Sequence, residues 1–110
     1  MKYMLLICGD ENVEFDPAEM RPATEAWVEE MDGRGIRLHG QRLRPTADAT
    51  SVRVRGDELI VTDGPFAEAK EQMGGYDVIE CTSLDEAIEV AAKHPMARFG
   101  TIEVRPFWEE

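Results

Sequence analysis

The segment Tyr3-Met4-Leu5-Leu6-Ile7-Cys8 limits the possible folds more than any other part of the chain. Side chains alternate along a strand, so Tyr3, Leu5 and Ile7 take one face and Met4, Leu6 and Cys8 the other. Both sets are apolar or nearly so, the mark of a strand in the middle of a sheet covered on both faces. The run is far too short to cross a bilayer, which takes about 20 apolar residues. Lys2 is the only basic residue before it and no small-residue cleavage site follows, so it does not read as a secretion signal. The expectation is a cytoplasmic protein with no membrane partner.

The remaining segments supply what such a strand packs against. Asp16-Pro17-Ala18-Glu19 is a helix start, with Asp16 as cap, Pro17 at the first helical position and Glu19 completing a capping box. Met20, Ala23, Trp27 and Met31 then recur at helical spacing, and Gly33 and Gly35 end the helix. Pro22 is expected to distort the first turns. Ile36 to Leu43 reads as a strand, with Ile36, Leu38 and Gly40 on one face and Arg37, His39 and Gln41 on the other. Ser51 to Arg55 and Glu58 to Thr62 form a hairpin around Gly56-Asp57. Tyr76 to Thr82 is a further strand. Ser83-Leu84-Asp85-Glu86 is a second capping box, opening a helix with the stripe Leu84, Ala87, Ile88, Ala91, Ala92, which His94-Pro95 closes. Thr101 to Phe107 is the last strand.

At 110 residues the chain is one domain, 1–110. The order β-α-β, hairpin, β-α-β makes an α+β fold of two split βαβ units: a four-stranded antiparallel sheet with both helices on one face. The other face is then bare, although the first strand is apolar on that side too. A second sheet is the simplest cover, so a homodimer with sheets face to face is expected. Alternation along the last strand turns Thr101, Glu103 and Arg105 to the bare face. The same test turns His39 and Gln41 to it from the other edge. A polar, partly enclosed cleft follows, with His39 as its proton carrier. The competing reading makes these residues edge-strand charges in water, with Glu103 and Arg105 a simple ion pair.

Net charge is −11, from 12 basic and 23 acidic residues, which repels phosphate backbones and argues against a nucleic-acid partner. Cys8 and Cys81 each end an apolar strand-like run and are expected as free thiols. No His/Cys cluster has metal spacing, so neither metal nor cofactor is expected.

The stretch TDGPFAEAKEQMGGY, Thr62 to Tyr76, joins the hairpin to the next strand. Gly64 before Pro65 suits a turn with a positive φ, and Asp63 suits an Asx-type turn, though it is also a candidate base. Pro65 would start a short helix, Phe66 to Gln72, that anchors Phe66 and displays Glu68 and Glu71. The stretch holds no Ser, Cys or His nucleophile and no phosphate cradle, so it reads mainly as a shaped connector.

The run from Val61 to Pro95 (VTDGPFAEAKEQMGGYDVIECTSLDEAIEVAAKHP), the closing GTIEVRP and the opening MKYMLLICGDE together resemble the DGPF-type branch of the YCII-related proteins. The resemblance covers nearly the whole chain. It implies a ferredoxin-like βαββαβ fold with an inserted β-hairpin, paired into a dimeric α/β barrel, and association of many members with sigma-factor-type transcription regulators. The other branch is thought to use a His and an Asp in the dimer cleft for lyase-like chemistry. Its His follows Arg-Pro-Ala, where this chain has Thr24 after Arg21-Pro22-Ala23. Its Asp-Pro reads His94-Pro95 here. The resemblance therefore transfers no catalytic residues.

Two functions fit. One is a small-molecule enzyme or binding protein using the barrel cleft, with His39, Asp63, Glu103 and Arg105 as polar groups and Tyr3 and Phe66 as apolar walls. The other is a non-enzymatic module docking a basic regulatory protein. His39 and the few aromatics are too thin a set for haem or flavin.

Overall fold

The computed structural model describes residues 1–13, 16–67 and 69–109. Eight main elements run in the order β1 (Lys2–Gly9), α1 (Pro17–Gly33), β2 (Arg37–Arg42), β3 (Thr50–Arg55), β4 (Glu58–Asp63), β5 (Gln72–Glu80), α2 (Leu84–Ala92) and β6 (Thr101–Pro106). The main sheet has the order β2-β5-β1-β6, antiparallel throughout, and β3-β4 forms a separate two-stranded ribbon. This is the ferredoxin-like α+β arrangement, with the two most apolar strands, β1 and β5, at the centre.

Local signals place both helices. The Asp16 carboxylate accepts from Ala18 N–H at 3.0 Å and caps α1. The helix carries Pro22 without interruption. Ser83 Oγ accepts from Glu86 N–H, while Glu86 accepts in turn from Thr82 N–H at 3.0 Å, a reciprocal cap one residue wider than expected. The core lies between the helices and one sheet face: Tyr3, Leu5 and Ile7 from β1 meet Ile79, Trp27 and Met31, with Ala87, Val90 and Ala91 from α2. Trp27 Nε1 donates to the Val90 carbonyl at 3.0 Å and ties α1 to α2.

Four expectations are corrected. The buried stripe of α2 is Ala87, Val90 and Ala91, and Leu84 and Ile88 are about half exposed. Small residues let α2 approach the sheet closely, and that outweighs side-chain hydrophobicity. In β2 the register shifts between Arg37 and His39, so Arg37 joins the helix side rather than sharing a face with His39. Among the described residues of the connector, 66, 67 and 69–71, there is no helix, and β5 begins at Gln72. Gly74-Gly75 accordingly lies inside a central strand, where the β1 register skips from Gly75 to Met73. Glu68, expected as a displayed carboxylate, lies outside the described residues.

The β3-β4 ribbon turns on Gly56, φ +61°, with Arg55 opposite Glu58. It stands away from the body as an arm. The molecule measures 47 × 41 × 18 Å with a radius of gyration of 15.8 Å, against roughly 13 Å for a compact domain of this length. The arm thus spreads within the plane of the two-layer body. Among the described residues no helix is long and apolar enough to cross a membrane.

Candidate functional site: the uncovered sheet face

Strand register lays out the face that the helices leave bare. One row across the sheet reads His39, Val78, Met4, Arg105; the next reads Gln41, Tyr76, Leu6, Glu103. Beyond them Cys8 stands opposite Thr101. The middle of the face is apolar and the polar groups sit on its two edge strands. Three strand spacings separate those edges, roughly 14 Å.

On the β2 edge, the Tyr76 hydroxyl lies 3.0 Å from His39 Nε2, and the rings are 5.2 Å apart at 51°. On the β6 edge, Arg105 pairs with Glu103. Cys8, between the rows and the end of the sheet, has its thiol pushed up by burial and by Glu103 and Glu71. Cys81 is pushed up to about 11 by burial and by Glu86. Both cysteines are free, and they sit at opposite ends of the central strands. A raised pKa leaves less thiolate at neutral pH, which makes a thiol a weaker nucleophile.

Alternation in β2 and β6 put His39, Gln41, Glu103 and Arg105 on one face, and the structure places them there. It does not bring His39 together with Glu103 and Arg105 within one chain. Tyr3 is corrected: it lies on the helix-covered face, 2% exposed, because it alternates with Met4 and Leu6. Asp63 ends β4 opposite Thr50, at the base of the arm. The turn beside it is held by Gly64 N–H donating to the Ala49 carbonyl at 2.8 Å and by the Ser51 hydroxyl donating to the Gly64 carbonyl at 2.7 Å. Phe66 is 75% exposed, with the Arg53 guanidinium 5.7 Å from its ring centre. It is a surface ring and not an inward anchor.

Two groups escaped the sequence reading. Asp77 is buried on the helix side of β5, where Arg37 Nε donates to its Oδ1 at 2.8 Å. Burial pushes its carboxyl up while Arg37 holds it down, and the net direction is up. Gly40 makes this pair possible, since a Cβ there would stand 1.9 Å from Asp77 Oδ1. Asp77 could have been noticed as the one acid on the inward positions of an apolar strand. His94 is buried against Trp27, ring centres 4.7 Å apart, and its Nδ1 accepts from Met96 N–H at 3.0 Å. Burial lowers its pKa to about 4, so the ring is neutral at pH 7. Both groups serve the core and lie away from the bare face.

Among the described residues, no group of three or more His, Cys, Asp or Glu side chains is placed to hold a metal ion. An open depression of about 600 Å³ is lined by Arg34, Ile36, Cys81, Thr82 and Glu86 among others. A second, of about 430 Å³, lies between α1 and the turn after α2. Neither includes any of the six sequence candidates.

The family model of the YCII-related domain matches residues 1–110, the whole chain. The chain belongs to the YCII-related family. It is similar to an uncharacterised protein, R00369, of Rhizobium meliloti (strain 1021), being 37% identical over 123 aligned positions that cover 96% of this chain and 91% of that protein. The order of strands and the bare sheet face are thus those of a YCII-related protein.

Proposed function

We propose that this YCII-related protein binds a small molecule in a polar cleft completed by a second copy of the chain, and that His39 carries acid–base chemistry there. The observation that supports this is the layout of the bare face: apolar in the middle, polar at both edges. Its apolar middle favours cover by another sheet, since burial of apolar area stabilises by about 25 cal/mol per Å². A face-to-face pair whose two-fold axis runs along the strands would set the His39 edge of one copy near the Glu103–Arg105 edge of the other. The Tyr76 hydroxyl, 3.0 Å from His39, would orient the imidazole for proton transfer. Arg105 would hold an anionic or carbonyl group, and Glu103 would keep Arg105 in place. Asp63 and Phe66 would contribute at the rim. Proton abstraction and return of this kind fits lyase-like chemistry.

A thermal-shift screen of small carboxylates and carbonyl compounds tests the reading. A compound that stabilises the wild type but not His39→Gln supports it. No stabilising compound, or equal stabilisation of both proteins, removes it.

A second reading rests on charge placement. α1 and α2 hold eight of the 23 acidic residues and one of the 12 basic ones, and with Arg34 and Lys93 at their C-caps the helix side keeps a net charge of −5. That face would dock a basic protein such as a sigma-factor-like regulator. Binding to such a purified regulator should weaken with salt and with the pair Glu25→Lys, Glu29→Lys. Absence of binding at low salt rules it out.

A further inference from the structure

The arm presents an apolar face that no other described residue buries. In the β3-β4 register Val52 stands opposite Val61 and Val54 opposite Leu59, all four on one side of the ribbon. Their exposures run from 55% to 64%. Together they show roughly 400 Å² of contiguous apolar surface, the size at which such a patch on a soluble protein marks a binding surface. A two-stranded ribbon is marginally stable alone and needs a third layer or a further strand. Its strand pairing is internal, to β3 and β4 only.

We infer that the arm is an interaction element whose Val52, Val54, Leu59 and Val61 face packs on a second copy of this chain. Three features select that occupant. The arm lies in the plane of an 18 Å slab, so it extends the molecule sideways past the edge of its own sheet. A copy seated on the bare sheet face therefore comes within reach of it. The area is the second feature. A stable interface takes roughly 800 Å² from each partner, and the arm supplies only about half of that. The apolar middle of the sheet face, Met4, Leu6 and Val78 on β1 and β5, is a second apolar surface that the helices leave bare. A two-fold partner covers both surfaces in one association and offers the same two in return. Charge is the third. The helices carry eight acidic residues against one basic one, which disfavours a copy there, whereas the four arm residues are uncharged and the sheet rows have Glu103 balanced by Arg105.

The inference rests on the two-copy reading above for its occupant, and the test separates the two. Sedimentation is measured for the wild type, for Val54→Lys with Leu59→Lys, and for Leu6→Asp. All four arm side chains are more than half exposed, so the double variant should keep its far-UV spectrum. It should raise the dimer dissociation constant by at least about 100-fold. A double variant that dimerises like the wild type, beside a Leu6→Asp variant that does not, overturns the arm and leaves the sheet interface standing. A wild type that is monomeric at 100 µM (an assay concentration of about this size is ample for an interface of standard area) overturns both. Amide exchange on the unmodified chain decides the same point should the double variant unfold. Protection in residues 50–63 that falls on dilution supports the arm contact; protection independent of concentration overturns it.

Discussion

His94 is a buried imidazole whose environment opposes its charge. Its pKa falls from 6.5 to about 4 on folding, because burial against Trp27 penalises the cation. The unfolded chain therefore takes up a proton near pH 6.5 that the native chain refuses until about pH 4. Stability is unaffected well above 6.5 and is lost as pH falls through that window, by an amount approaching about 3 kcal/mol. Asp77 acts in the opposite sense, since a carboxyl raised by burial favours the fold at low pH, but only near the ordinary carboxylate range. Urea unfolding at pH 7, 5.5 and 4.5 should show the loss, and His94→Asn, which keeps an acceptor for Met96 N–H, should flatten it. A second expectation concerns Gly40. Gly40→Ala drives a Cβ into Asp77 Oδ1 and should cost about 3 kcal/mol through disruption of the Arg37–Asp77 pair. In an Asp77→Ala background the same change should cost less than about 1 kcal/mol, a coupling that a double-mutant cycle reads directly.

Among the elements, the ends were more legible than the middles. Asp16 and Ser83 mark their helices because a short polar side chain before an apolar-periodic run can satisfy an orphan N–H, a local interaction visible in the sequence. Gly56 and Gly64 mark turns for the same local reason, and both have positive φ. Features set by pairing between distant segments were not legible. The shift at Leu38, the bulge at Gly74 and the start of β5 at Gln72 depend on which strand lies alongside. Alternation alone therefore places Arg37 on the wrong face, and turn chemistry alone predicts a helix where the chain bends. At the site, alternation sufficed for His39, Glu103 and Arg105 but not for Tyr3. When both faces of β1 are apolar, periodicity cannot say which set meets the helices. Gly64, at φ +95°, tests the connector between β4 and β5. Gly64→Val should cost about 1–3 kcal/mol in denaturant melts. A neutral result would mean the turn tolerates a branched residue and is held by the Ala49 and Ser51 bonds alone.

The whole molecule is a sheet and two helices with one side finished. Light scattering at micromolar concentration should give twice the 12.4 kDa chain mass, and Leu6→Asp should give monomer or insoluble protein, because a carboxylate there is buried unpaired in the pair. Both thiols should titrate after unfolding in protein purified without reductant. The thinness of the slab has a thermal consequence. Within one 18 Å layer, among the described residues, the large side chains fully withdrawn from water are Leu5, Met31, Ile79 and Val90. A single copy thus has little interior of its own, and the proposed association would supply a share of its resistance to heat. Mass action then makes the melting point a property of the solution as much as of the sequence. Each tenfold dilution should lower it by roughly 3 °C, a dependence that differential scanning calorimetry at several concentrations would reveal.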